Sequence, residues 1–374
     1  MSFKIDFENF PESDITLTTK LVGHFSIDGN KKYQDDLSQL KYYIPPFNPN
    51  VHFDLNKNYE STILKSTSYV KLDNILRWIS DNFNRLEKPL SVQDKRWLDI
   101  DFICSRGTIK TILSSPYIER TGWIICASKY RGTIYLCEFY TDEKEHDHVN
   151  ATTSEKQISS LGFKFEQYMV ADHPLHEPDT SVILNTREAF HCMFETNFDN
   201  HSVLYGAEID GISSRQPFKI TNTLIDKLDK FELIELKTFP MCNKDGNING
   251  KISRERISMC WSQNYFPQIN RTICGLKNKF NIVKKIREYS SYELPQLSAE
   301  PFDTNKCKIF CKIFLDNVKR IVTKDHNKCM YKFYWMPLAK NVVNYSEEAP
   351  NNEKYFFLKQ WFVHKADECR RLPQ

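Results

Sequence analysis

Two short runs of alternating residues in the middle of the chain constrain its fold more than any other feature. Leu204-Tyr-Gly-Ala-Glu-Ile-Asp210 and Phe231-Glu-Leu-Ile-Glu-Leu-Lys-Thr238 both alternate apolar and polar residues with the period of a half-buried strand. That period puts Glu208 and Asp210 on one face and Ala207 and Ile209 on the other. In the second run Glu235 and Lys237 share a face, opposite Ile234 and Leu236. If the two strands pair, roughly 4.8 Å apart, three carboxylates and one ammonium converge. One lysine does not neutralise three acids, and like charges this close repel. A divalent cation is the usual compensation, and oxygen-only ligands suit Mg²⁺ or Mn²⁺ better than zinc. The same residues also fit a plain hairpin with solvated charged faces, so the rest of the chain must decide.

The chain has 374 residues, 40% apolar and 26% charged, which is ample for a packed core. Its net charge of +3 is too close to balance to announce a nucleic-acid binder, so that reading rests on local patches. Of the 11 cysteines, Cys126, Cys137 and Cys274 sit in apolar runs and read as buried free thiols of a reducing compartment. Cys307 and Cys311, with Cys329 near His326, could suggest zinc; the first two fall on the apolar face of a helical run, which favours core packing. No run approaches the length of a membrane helix and no signal peptide opens the sequence, so an intracellular, soluble protein with no membrane partner is expected.

In chain order, residues 1–20 are polar and expected to be loosely held. Leu21 to Ile27 reads as a strand, and Leu40-Lys-Tyr-Tyr-Ile-Pro-Pro as a packing loop halted by its prolines. From Ser68 to Leu86 apolar residues recur at helical spacing. Ile100 to Leu113 reads as a strand, a turn at Arg106-Gly107, then a helix, and an arginine there sits beside free N–H groups that favour a phosphate. Trp123 to Tyr140 reads as a hairpin, and the acidic run after it as a solvated connection. Ile158, Leu161, Phe165 and Met169 form a helical stripe with Glu166 at its edge, a candidate fourth acid. Arg254 to Phe266 is helical, with Arg256 and Gln263 on one face. Residues 271–287 are the most basic stretch and a candidate track for a phosphate backbone. No repeat or linker divides the chain, so one mixed α+β domain over 1–374 is expected.

Acid, gap, then Glu-x-Lys is the pattern of the PD-(D/E)xK nucleases, and the wider set of motifs resembles one family in particular. Gly162-Phe-Lys-Phe-Glu166, Gly206-Ala-Glu-Ile-Asp210 and Glu235-Leu-Lys237 are similar, in order and spacing, to motifs of the DXO family of RNA 5′-end decapping exonucleases. Trp261-Ser-Gln263, Ser105-Arg106-Gly107, the 40–46 loop and the stretch from Gly122 to Glu138 extend the resemblance over nearly the whole chain. Gly211 and Gln268 depart from the usual residues, and neither is an acid position.

The resemblance implies central mixed β-sheets flanked by helices around a PD-(D/E)xK nuclease-like core. It implies two divalent cations, Mg²⁺ or Mn²⁺, on Glu166, Glu208, Asp210, Glu235 and the Leu236 carbonyl. Lys237 and Gln263 would position water or the scissile phosphate, and Arg106 would grip the 5′ end of single-stranded RNA. The implied activity is hydrolytic removal of incomplete caps, NAD caps or 5′-triphosphates, followed by 5′→3′ digestion. A monomer is implied, nuclear and compatible with the cytoplasm, with room for a larger 5′→3′ exonuclease as partner. Two alternatives stay open: a PD-(D/E)xK DNA nuclease, and a non-catalytic adaptor that binds RNA or an exonuclease.

Overall fold

The two alternating runs end up in different sheets. The computed structural model describes residues 1–8, 15–65, 71–88, 96–219, 224, 230–243, 245–339 and 341–369. Among them, ten strands form one mixed sheet in the order Ser2–Lys4, Val342–Glu348, Met330–Trp335, Trp123–Tyr130, Thr133–Phe139, Phe102–Ser105, His201–Glu208, Ala189–Phe198, Leu17–Ile27 and Tyr33–Gln34. Seven form a second, in the order Asn50–Asp54, Ile282–Ser290, Arg271–Lys277, Glu232–Pro240, Gly211–Ser213, Tyr42–Tyr43 and Val170–Ala171. The expected direct pairing of the two runs is therefore corrected. The first run closes in the large sheet, and the chain crosses at Ile209–Asp210. Only the short Gly211–Ser213 strand then pairs antiparallel with Ile234 and its neighbours. Glu208 and Glu235 approach across the gap between sheets rather than along one ladder.

The large sheet is covered on both faces, which its nearly unbroken apolar strands require. Phe102, Cys104 and Tyr205 pack on one side in a core shared with Ile109, Trp261 and Phe314 of three helices, Arg106–Ser114, Arg254–Tyr265 and Thr304–Ile321. Their neighbours Ile103 and Leu204 point to the other side, where Leu76 of Asp73–Asp81 and Phe362 of Gln360–Cys369 close a second core. The smaller sheet lays Ile234, Leu236 and Ile273 against Leu161, Phe165 and Met169 of the Thr153–Met169 helix.

Several sequence expectations meet a correction. Far from being loose, Ser2–Lys4 pairs with Asn344, Val343 and Val342, Ile5 is fully buried, and Leu17 opens a long strand. The N-terminus satisfies the exposed edge of the 342–348 strand, and residues 9–14 lie outside the described part. The acidic run is an exposed helix, Asp142–Val149, rather than a loop. The Thr141 hydroxyl caps it, acids fill its first turn and His146 and His148 its last, as the helix dipole favours. Ile158 leaves the stripe and is exposed, while Lys164 is buried in its place. Ser68, the expected start of the first helix, is outside the described residues; the helix itself begins at Asp73. Gln268 takes the left-handed backbone that favours glycine, with φ 53°.

Candidate active site

Four pieces of chain deliver the predicted residues to one place. Glu166 comes from the last turn of the Thr153–Met169 helix, Glu208 from the end of its strand, Asp210 from the crossing, and Glu235 and Lys237 from Glu232–Pro240. Glu166, Glu208 and Asp210 line a groove of about 500 Å³ together with Lys41, Phe163 and His176. A second cavity, of about 510 Å³ beneath Phe356–Leu358, has one carboxylate in its lining, Glu353, and none of the motif residues.

Glu235 sits at the bottom of this arrangement and is fully buried. Its carboxylate accepts from the Lys237 ammonium and the Gln263 amide, and at 3.2 Å from the Arg106 guanidinium. Arg106 enters at the first turn of the Arg106–Ser114 helix, whose N-terminus is capped by the Ser105 hydroxyl accepting from Thr108 N–H at 3.2 Å. Its second terminal nitrogen donates to the Glu208 carbonyl at 2.8 Å, tying the ends of the two sheets together. The Leu236 N–H donates to Asp210 at 2.7 Å, and the Leu236 carbonyl accepts from Lys237 at 3.2 Å.

The acids divide into two electrostatic classes. Burial works against the Glu235 charge, but Lys237 and Arg106 outweigh it and hold this carboxyl below its usual range. Burial likewise opposes the Lys237 charge, and Glu235 and Asp210 overcome it and raise the ammonium's proton affinity. Asp210 is pushed up to about 7, first by burial and then by Glu235, against the pull of Lys237 and the Leu236 N–H. Glu166 rises well above the usual carboxylate range through burial and the charges of Asp210 and Glu208. Glu235 is thus compensated from within the protein, whereas Glu166 and Asp210 form no ion pair among the described residues. Such hard-oxygen donors fit a divalent cation. No three acid, thiol or imidazole groups among the described residues converge as a ready-made cation site.

Three nearby residues escaped the sequence reading. Lys65 lies 3.8 Å from Glu208, and nothing in its local sequence marks it. His191 pairs with Glu208 across the strands, and burial lowers its pKa to about 4 although the Glu208 charge opposes this. Lys110, one turn beyond Arg106 on the same helix face, was legible from its spacing.

A family model described as RAI1-like PD-(D/E)XK nuclease matches residues 18–363, a span containing every motif above. The chain belongs to this nuclease family. Curated decapping and exoribonuclease proteins are similar to this chain over most of its length. The protein from Rattus norvegicus is 28% identical over 349 residues, 91% of this chain and 83% of its own length. The human protein is 27% identical over 359 residues, 94% of this chain and 86% of its own length. In fold, the chain is similar to Candida albicans Rai1 in complex with pU5-Mn²⁺, with a TM-score of 0.76, 18% identity and coverage of 95% and 97% of the two chains. Scheffersomyces stipitis Rai1 in complex with (3′-NADP)⁺ and calcium gives 0.74 at 15% identity, with the same coverage. Family membership makes the chain a hydrolase of the nuclease class, and the DXO resemblance read from the motifs is the same relationship.

Proposed function

We propose that this protein is a metal-dependent RNA 5′-end nuclease that removes incomplete or non-canonical caps, NAD among them, and 5′-triphosphates, then digests 5′ to 3′. The observation that carries this reading is that Glu166, Glu208 and Asp210 line one groove while Lys237 and Gln263 hold the neighbouring Glu235 carboxylate. The names of the relatives and the RNA and dinucleotide held by the fungal neighbours point the same way.

In this reading Glu166, Glu208, Asp210 and Glu235, with the Leu236 carbonyl, hold two divalent cations, Mg²⁺ or Mn²⁺. Bound there, such cations lower the pKa of water and stabilise charge on the attacking and leaving oxygens of an in-line displacement. The chain's own residues do the rest. Lys237 and Gln263, both on Glu235, are placed to orient water or a phosphate oxygen beside that carboxylate. Arg106 keeps Glu235 and the Glu208 carbonyl in register while its remaining N–H groups face a 5′-terminal phosphate. Water adds to phosphorus, one P–O bond breaks, and the displaced oxygen leaves with a proton. A single-domain monomer, nuclear with a cytoplasmic pool, and a larger 5′→3′ exonuclease as partner all accord with this role.

The test is a panel of RNAs of one sequence bearing triphosphate, monophosphate, NAD or unmethylated-cap ends, incubated with Mg²⁺ and resolved by size, beside matched DNA and a circular RNA. End-group release and shortening of the linear RNAs is expected, with the circle spared. Rapid cutting of the circle, or preference for the DNA, would overturn the proposal.

A further inference from the structure

Beside Lys237 lie two further cations, Lys110 and Arg256, that the catalytic reading does not use. Lys110 and Arg256 stand on two helices packed against each other, Arg106–Ser114 and Arg254–Tyr265. Between them is the buried Cys260, one turn beyond Arg256 and one turn short of Gln263, and its thiol lies in the field of Lys237, Arg256 and Lys110 together. All three cations therefore act on one small side chain beside the Glu235 site, with Glu235 opposing them.

Among the described residues, only one of the three has an acid. Lys237 is paired with Glu235. Arg256 donates to the Thr238 carbonyl at 2.5 Å and lies 5.0 Å from the centre of the Phe239 ring, and neither contact is a counter-charge. The Lys110 ammonium has no hydrogen-bond or ion-pair partner among the described residues. The carboxylate that acts on it most, Glu138, is already held by the Thr111 hydroxyl at 2.8 Å and Lys144 at 3.3 Å. Burial depresses the Lys110 pKa, as expected of a cation short of compensation. Lys277, on the strand beside Glu232–Pro240, adds to the field of Arg256 and extends the positive surface away from the acids. A half-buried ammonium and an exposed guanidinium beside a nuclease centre, both without carboxylates, match an anion brought by the substrate.

We propose that Lys110 and Arg256 form a second phosphate subsite that holds the phosphate next to the scissile one. The subsite rests on the reading of the groove as an RNA-cleaving centre. The phosphate comes either from the RNA backbone 3′ of the cut or from the 5′-terminal di- or triphosphate.

The experiment measures binding of labelled single-stranded RNA to the full chain in EDTA across a salt series, for wild type, Lys110→Met, Arg256→Gln and the double variant. Methionine keeps the apolar stem of Lys110, and Arg256 is exposed, so both substitutions leave packing in place. Losing the one phosphate contact should shallow the slope of log K against log[salt] by about 0.7 in the double variant, and each single variant should lose part of that. Lys110→Arg should restore its share, which a merely structural role would not predict. Neutral methylphosphonates placed one at a time then locate the phosphate. At one position the substitution should weaken wild type and leave the double variant unaffected. An internal position assigns the subsite to the backbone, and a response only to removal of the terminal phosphates assigns it to the 5′ end. Wild-type cleavage and binding with an unchanged slope in the double variant overturns the subsite alone. A wild type that neither binds nor cleaves RNA overturns the reading of the groove and the subsite with it.

Discussion

Removing the charge of Glu235 should have the opposite effect on stability from removing that of Asp210, although both are acids of one site. Glu235 is fully buried and holds Lys237, Gln263 and Arg106. Glu235→Gln leaves two buried cations facing a neutral amide, and breaking a buried pair from one side costs roughly 3–5 kcal/mol. With an unfolding entropy of about 2.1 cal/mol/K per residue over 374 residues, roughly 0.8 kcal/mol/K, that loss lowers Tm by about 4–6 °C. Asp210→Asn keeps the acceptor for the Leu236 N–H and removes a charge the fold opposes. A carboxyl whose folded pKa is raised to about 7 stabilises the fold below its unfolded value, and that stability is lost as pH rises through 7. In EDTA, wild-type Tm should therefore fall between pH 5 and pH 8 more steeply than that of Asp210→Asn, and the variant should be the more stable at pH 8. Differential scanning calorimetry of the three proteins in EDTA at both pH values decides it. Equal shifts for the two variants, or a Glu235→Gln protein as stable as wild type, would refute the division of the acids into compensated and uncompensated.

Arg106→Ala removes charge-assisted hydrogen bonds worth roughly 1.5–3 kcal/mol, so cleavage of 5′-end substrates should slow about tenfold to a hundredfold. Arg106→Lys should recover only part, because an ammonium lacks the planar fork that spans Glu235 and the Glu208 carbonyl; a full rate in the alanine variant would remove Arg106 from the site. A Cβ at Gly275 would lie 2.5 Å from the Phe165 ring, next to Glu166, so Gly275→Ala should destabilise by about 1–3 kcal/mol. That variant should also lower activity at saturating metal, and unchanged kinetics would show that the helix can shift without moving Glu166. All eleven cysteines are free, Cys126 and Cys137 directly opposite one another among them, so adding a reductant should leave Tm where it was; a drop would reveal a disulfide.

The site was legible in the sequence because its parts are written in local periodicities. The period of two put Glu208 and Asp210, and Glu235 and Lys237, on common faces, and the strand–turn–helix pattern put Arg106 at a helix start; each survives in the structure. The apolar stripes named most of the helices because burial of one face is a local demand on sequence. Where that demand was weak, the reading failed. The Asp142–Val149 helix buries nothing and rests on its cap and charge order, and Ser2–Lys4 is a strand only because a distant edge strand offers its free amides.

What the sequence determined by itself was on which face of its own element each candidate lies, Glu208 with Asp210 and Glu235 with Lys237. What only the tertiary structure decided was how their charges are shared. The runs expected to form one hairpin lie in two sheets, and it is the crossing between them that brings Arg106, Lys237 and Gln263 onto Glu235 while Glu166 and Asp210 form no ion pair among the described residues. Local periodicity fixes the direction of a side chain relative to its own backbone, but proton affinity and ion pairing depend on distances between segments far apart in the chain. Those distances exist only once both sheets have packed.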